Sequence, residues 1–141
     1  MKRRTFLLLP AMSTFAHAHS FRVGDIKIGH AWALDAMAGQ DGQCLMPLLN
    51  VGPAPDALVA ARTDVCLFIQ LRRNARYDDL PEQQFELLPN TPVAMRPQAV
   101  HLRLIGLRKH LIAGERFKLV LDFLNAGEVE VDVDVETAPG H

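Results

Sequence analysis

FKLVLDFLNAGEVEVDVDVE, residues 117–136, is the stretch that decides the fold class. Two runs, 117–124 and 128–136, flank a short Asn-Ala-Gly turn at 125–127. The second run alternates valine with carboxylates, so that one face of an extended strand is buried and the other contacts water. The stretch therefore predicts a β-hairpin in which the two runs pair antiparallel.

Short strand-like runs separated by turn residues continue through the rest of the chain. Breaks that contain Pro, Gly or Asn separate most of them, and no linker or repeat divides the sequence. The chain of 141 residues is about one domain long. We therefore predict one all-β domain, an antiparallel sandwich or barrel. The other predicted strands are 21–23 and 26–28 (a hairpin), 44–51, 57–61, 65–71, 84–88, 92–96 and 100–107.

The amino terminus has the layout of a secretory signal peptide. Lys2, Arg3 and Arg4 precede an apolar run at 5–15, and Ala16-His17-Ala18 forms a small-x-small cleavage site. The run is too short for a membrane anchor. We predict that residues 1–18 are removed and that 19–141 form an exported, periplasmic domain with no membrane span.

Charge and motifs exclude several function classes. Without Lys2, Arg3 and Arg4, twelve of the fifteen basic residues remain against sixteen acidic ones, a formal charge of −4. The only interior basic cluster, at 71–76, is interpreted as a solvated turn, so no nucleic-acid partner is expected. No catalytic triad order, Gly-rich phosphate loop or zinc signature is present, so the protein is not predicted to be an enzyme.

Two cysteines, Cys44 and Cys66, lie within apolar strand-like runs. Export into an oxidising compartment favours one disulfide between them. Burial in the core as two free thiols is the alternative, and the sequence leaves both open.

The predicted cleavage after Ala18 would make His19 the first residue. Its α-amino nitrogen and imidazole could then chelate Cu(II) together. Cleavage two residues earlier would leave His17-Ala18-His19, which is also a good Cu(II) chelate. In the alternative interpretation these histidines only accompany the cleavage site.

Several longer stretches resemble the PCu(A)C-type periplasmic copper chaperones. They are VGDIKIGHAWA, LLNVGPAPDALVAA, FELLPN, MRPQAVHLRLIGLRKHLIAGERFKLVLDF and AGEVEVDV. The resemblance covers nearly all of 19–141 and implies a cupredoxin-like β-sandwich of Greek-key type. It also implies copper as the bound metal, held as Cu(I) by two histidines and two methionines, with a His-x-Met pair on one strand. Soft Cu(I) favours thioether and imidazole ligands.

This sequence departs from the implied ligand set. His101 stands at the histidine of the His-x-Met pair, but Arg103 stands at its methionine. The earlier histidine falls at or next to Phe68, and Gln70, Tyr77 and Leu80 stand where the other methionine is expected. A permanent cation such as Arg103 does not ligate copper. His101 is therefore a remaining ligand or a structural residue.

Other histidines and methionines are candidates for a rearranged site. Met37, Met46 and Met95 remain, and Met46 lies in an apolar run typical of core packing. His30, in GHAW, is interpreted as packing beside Trp32.

Two functions follow from these residues. In the first, the chain is an exported, divergent copper chaperone that binds copper weakly or through its terminal histidines and assists copper-centre assembly of respiratory oxidase. Its metal ligands would be His101 and His19, and its partner a copper-requiring oxidase subunit or another copper carrier. The alternative is a non-metal periplasmic interaction module in which Arg103, Phe68 and Tyr77 form a surface for a protein partner.

Overall fold

The computed structural model describes residues 20–137, and within that range the chain forms strands and turns with no helix. The strands in chain order are β1 (Phe21–Val23), β2 (Ile26–Ile28), β3 (Ala31–Leu34), β4 (Gly42–Leu45), β5 (Leu48–Asn50), β6 (Asp56–Arg62), β7 (Cys66–Arg72), β8 (Phe85–Leu87), β9 (His101–Leu107), β10 (Arg116–Phe123) and β11 (Gly127–Glu136). The all-β prediction is confirmed.

Eight of these strands form one mixed sheet that is nearly closed into a barrel. Its order is β7-β9-β4-β3-β11-β10-β6-β8. The hairpin predicted at 117–136 is present, with Phe117 opposite Val133 and Leu119 opposite Val131. Both valines are buried, as the alternation predicts.

The second sheet contains β1, β2 and β5 and packs against the first. Phe21 pairs with Ile28 in the predicted hairpin of β1 and β2. Ile26 and Ile28 of this small sheet belong to the same buried cluster as Leu104 and Leu119 of the large one. The hydrophobic core therefore lies between the two sheets.

The structure differs from the predicted strand pattern in three places. β3 was not predicted as a separate strand, and it pairs parallel with β11, whereas every other strand pair is antiparallel. The run 44–51 divides at Pro47, which has no N–H for a sheet, and its two halves join different sheets. The run 92–96 contributes only an isolated bridge, between Val93 and Leu48.

Candidate functional site

His101 and Arg103 lie on one face of β9, two positions apart, as the sequence predicts. On the neighbouring strand β7, Arg72 is opposite His101 and Gln70 is opposite Arg103. The intervening Leu102 points into the core, where it is fully buried. β9 is held between β7 and β4, so this face is fixed by strand pairing on both sides.

The imidazole of His101 is fully buried and both of its ring nitrogens are engaged. Nδ1 lies 2.6 Å from the backbone oxygen of Ala99. Because a carbonyl oxygen only accepts hydrogen bonds, Nδ1 carries the proton. Nε2 then accepts from the Tyr77 hydroxyl at 3.0 Å. A metal ion at Nε2 would have to displace Tyr77.

The pKa of His101 is lowered from its ordinary value. Burial is the largest cause, because it disfavours the charged imidazolium. Arg72 and Arg103 add repulsion, while the hydrogen bond to Ala99 opposes the shift. The residue is therefore held as a neutral imidazole that stabilises the loop carrying Tyr77.

The positively charged guanidinium of Arg103 lies near the imidazole of His101. Its Nη2 lies 2.5 Å from Oδ2 of Asp41, and its guanidinium carbon lies 3.6 Å from the centre of the Tyr77 ring. The second oxygen of Asp41 accepts from the backbone N–H of Gly106 at 2.9 Å. A guanidinium stacked on an aromatic ring and paired with a carboxylate is a stable arrangement.

Arg72 completes what we name the Arg103 cluster: Asp41, Arg72, Tyr77, His101 and Arg103. The sequence interpretation of 71–76 as a solvated turn is wrong for Arg72, which is buried. Its Nη2 donates to the backbone oxygens of Arg76 at 2.8 Å and Asp79 at 3.0 Å. A buried guanidinium needs such acceptors, and here it fixes the loop that follows β7.

Phe68 lies opposite Ile105, further along the same pair of strands, and 52% of its surface is exposed.

Met46 and Met95 are buried in the hydrophobic core, whereas Met37 is exposed. Across residues 20–137, no three His, Cys, Asp or Glu side chains come together in a way that would hold a metal ion.

His30 takes part in a polar contact that the packing interpretation missed. Its Nε2 lies 2.9 Å from Oε2 of Glu136, and its Nδ1 lies 3.7 Å from Oδ2 of Asp134. The two carboxylates share one face of β11 because they are two residues apart. Only the tertiary pairing of β3 with β11 brings them to His30.

The remaining predicted site residues are His19 and the two cysteines. His19 and the predicted signal peptide, 1–18, lie outside the described residues. Cys44 and Cys66 are both buried, and the structure holds them as free thiols rather than as the disulfide. They lie on β4 and β7, which are separated in the sheet by β9.

Comparisons with known proteins identify the family. A family model described as LpqE-like lipoproteins matches residues 26–135. The copper-bound PCuAC domain from PmoF2 is 30% identical, with a TM-score of 0.76 over 85% of this chain and 99% of that domain. The chain belongs to the PCuAC copper-chaperone family.

Two further PCuAC structures support the same assignment of fold. The apo PCuAC domain from PmoF1 is 26% identical, with a TM-score of 0.77 over 85% of this chain and all of that domain. The Cu(I) form of DR1885 from Deinococcus radiodurans is 19% identical, with a TM-score of 0.68 over 92% of this chain and 91% of that one, and shows the fold alone. A search of curated proteins gives no match.

This PCuAC chain keeps the family scaffold, but a guanidinium stands where the resemblance implies a thioether. No helix in residues 20–137 is long and apolar enough to cross a lipid bilayer. Within the part of the molecule that the structure describes, the place expected for copper on β9 is taken up by the Arg103 cluster.

Proposed function

We propose that this PCuAC protein is exported and handles copper through its amino terminus rather than through β9. The proposed ligands are the α-amino nitrogen and imidazole of His19, freed by cleavage after Ala18, together with the imidazole of His30. Nitrogen ligands of this kind suit Cu(II). His101 would contribute little, because Tyr77 and Ala99 engage both of its ring nitrogens.

The observation that carries the proposal is the register of β1 with β2. Phe21 pairs with Ile28, so the chain enters β1 at the same end of the small sheet at which it leaves β2 toward His30. His19 is two residues before Phe21, and His30 is two residues after Ile28. A span of two residues is at most about 7 Å, so both histidines are within reach of one metal ion.

The charges around His30 also support a cation at this position. Glu136 and Asp134 contact the imidazole, and Asp134 is also paired with Arg116 at 2.8 Å. Carboxylates next to a histidine ligand orient the ring and favour a bound cation. On β9, by contrast, Arg72 and Arg103 would repel one.

The proposed role is delivery of copper to a copper-requiring respiratory oxidase subunit or to another copper carrier. The family supports this class of recipient. A terminal chelate is also open to exchange, because it needs no closed pocket around the metal.

The test compares Cu(II) binding by the secreted protein and by variants of it. Intact mass first establishes whether the chain begins at His19. We expect one Cu(II) per chain, with binding lost when His19 is deleted and weakened by His30→Ala. The matched control, His101→Ala, should leave Cu(II) binding unchanged.

Binding should also weaken as pH falls, because protons compete with Cu(II) for the ligand nitrogens. Unchanged binding without His19, or a mass that retains residues 1–18, would reject the proposal.

A second candidate function is the non-metal interaction module, which the Arg103 cluster favours. The cluster holds the end of β9 in place without a metal, and exposed Phe68 lies on the same face. In that case the secreted protein would bind neither Cu(II) nor Cu(I). Phe68→Ser would then weaken binding to a partner captured from the periplasm, and deletion of His19 would have no effect on it.

A further inference from the structure

A groove lies where β3 ends, between residues 35–40 and residues 110–113. Its volume is about 710 Å³, and its apolar lining includes Ala36, Met37, Leu111 and Ile112. Met37 and Ile112 expose 58% and 52% of their surfaces. Large apolar side chains that line an open groove are typical of a docking surface.

The walls of the groove are held together by the backbone. The N–H of Ala36 donates to the oxygen of Leu111 at 3.1 Å, and the N–H of Leu111 donates to the oxygen of Ala36 at 2.9 Å. Nδ1 of His110 accepts from the N–H of Ala38 at 2.9 Å. The groove is therefore preformed, and this nitrogen of His110 is already engaged.

The last strand leads directly to the groove. β11 runs parallel to β3, and the N–H of Asp35 donates to the oxygen of Glu136 at 3.0 Å. On the other side, the N–H of Gly114 donates to the oxygen of Val135 at 2.9 Å. The chain thus leaves β11 between residue 35 and residue 114, which adjoin the two walls of the groove.

We propose that this groove is the docking site of the chain's own segment 138–141, Ala-Pro-Gly-His. Four residues extend about 13–14 Å, which is enough to pass along Ala36 and Met37 from the end of β11. Ala138 and Pro139 are small and uncharged, as an apolar groove requires. Pro139 also brings no backbone N–H that would need a partner there. The docked segment would cover Met37 and hold the end of β11, including Glu136 beside His30.

The test measures how fast hydrogen peroxide oxidises Met37 in the full mature chain and in a chain that ends at Thr137. Methionine oxidation follows exposure, so we expect Met37 sulfoxide to form about threefold faster or more in the shortened chain. Met46 and Met95 are buried in the core and serve as internal references, because their rates change only if the fold is lost.

A point substitution separates docking from any effect of shortening. Pro139→Asp would put a charge into the apolar groove and should accelerate Met37 oxidation as the truncation does. The control Leu124→Asp places the same charge on an exposed side chain before β11 begins, and should have no effect. Equal Met37 rates in all four proteins would overturn the proposal. Protection that grows with protein concentration would also overturn it and assign the groove to a second copy of the chain.

Discussion

His101, which the resemblance implies as a metal ligand, is part of the scaffold in this structure. Its Nδ1–H donates a hydrogen bond to the backbone oxygen of Ala99, and its Nε2 accepts one from the Tyr77 hydroxyl. The side chain thus ties the start of β9 to the loop after β7. A buried polar group satisfied on both sides contributes stability, and loss of one partner leaves the other unpaired.

We predict that protonation of His101 destabilises the domain at low pH. The folded-state pKa is lowered, chiefly by burial, so the unfolded state binds the proton more readily. The contribution is complete above the unfolded pKa of about 6.5, is lost as pH falls below it, and levels off below the folded pKa. Urea unfolding should therefore give a smaller free energy at pH 5 than at pH 7.5.

The variant His101→Gln should remove most of that difference while costing about 1–3 kcal/mol at pH 7.5. His110→Gln is the control and should keep the pH dependence. The same pH dependence in His101→Gln as in the unmodified protein would contradict this assignment.

Arg103 provides a tethered cation where the resemblance implies a metal ligand. We predict that Arg103→Met combined with Phe68→His raises Cu(I) affinity by about tenfold or more, because it adds a thioether and an imidazole and removes a repulsive charge. Competition against a Cu(I) chelator measures the gain. Arg103→Lys combined with Phe68→His, which keeps the charge, should show little of it.

The Arg103→Met change should also cost about 1 kcal/mol of stability, since it removes the pair with Asp41 and the stacking on Tyr77. Tight binding of one Cu(I) by the unmodified protein, abolished by His101→Ala, would show that β9 holds a working site after all.

Among the elements, two of the places where the chain crosses between the sheets lie in direct contact with each other. Gly29 leads from β2 to β3, and Pro47 leads from β4 to β5, so the chain changes sheets at both residues. The N–H of Gly29 donates to the oxygen of Pro47 at 3.0 Å. A Cβ added at Gly29 would lie 2.5 Å from Cγ of Pro47, whose ring has little freedom to move.

We predict that Gly29→Ala destabilises the domain by about 1–3 kcal/mol through this overlap. Pro47→Ala in the same chain removes the ring, so the double variant should regain most of the loss. Urea unfolding of the four proteins in this cycle gives the coupling directly. Purely additive effects would mean that the cost of Gly29→Ala has another origin.

Local sequence patterns predicted strands that pair with their neighbours in the chain. They did not predict pairing between strands that are far apart in the sequence. The hairpin of β10 and β11 follows from alternation around one turn, whereas β3 is a short run of four residues whose parallel partner lies about a hundred positions away. The i, i+2 rule likewise placed His101 and Arg103 on one face. It could not place Asp41 beside Arg103, because Asp41 comes from a loop about sixty residues earlier.

At the scale of the whole molecule, the chemical reactivity of the buried thiols of Cys44 and Cys66 indicates whether the protein is folded. Burial raises the pKa of Cys44 to about 12. It also raises the pKa of Cys66, against an opposing effect of Arg108. We predict that neither thiol reacts with a maleimide in the native protein at pH 8, and that both react after denaturation without a reductant. No labelling after such denaturation would show instead that the protein contains the disulfide between Cys44 and Cys66.

The parallel pairing of β3 with β11 determines when the large sheet can be completed during synthesis of the chain. Ala31 pairs with Val133, so one edge of β3 stays unpaired until a strand about a hundred residues later in the chain has been synthesised. Contacts between such distant positions slow folding, and unpaired apolar edges favour aggregation in the meantime. The large sheet of a nascent chain therefore stays incomplete until β11 has been synthesised. A premature stop before β11 would leave β3 exposed to proteases and to other chains.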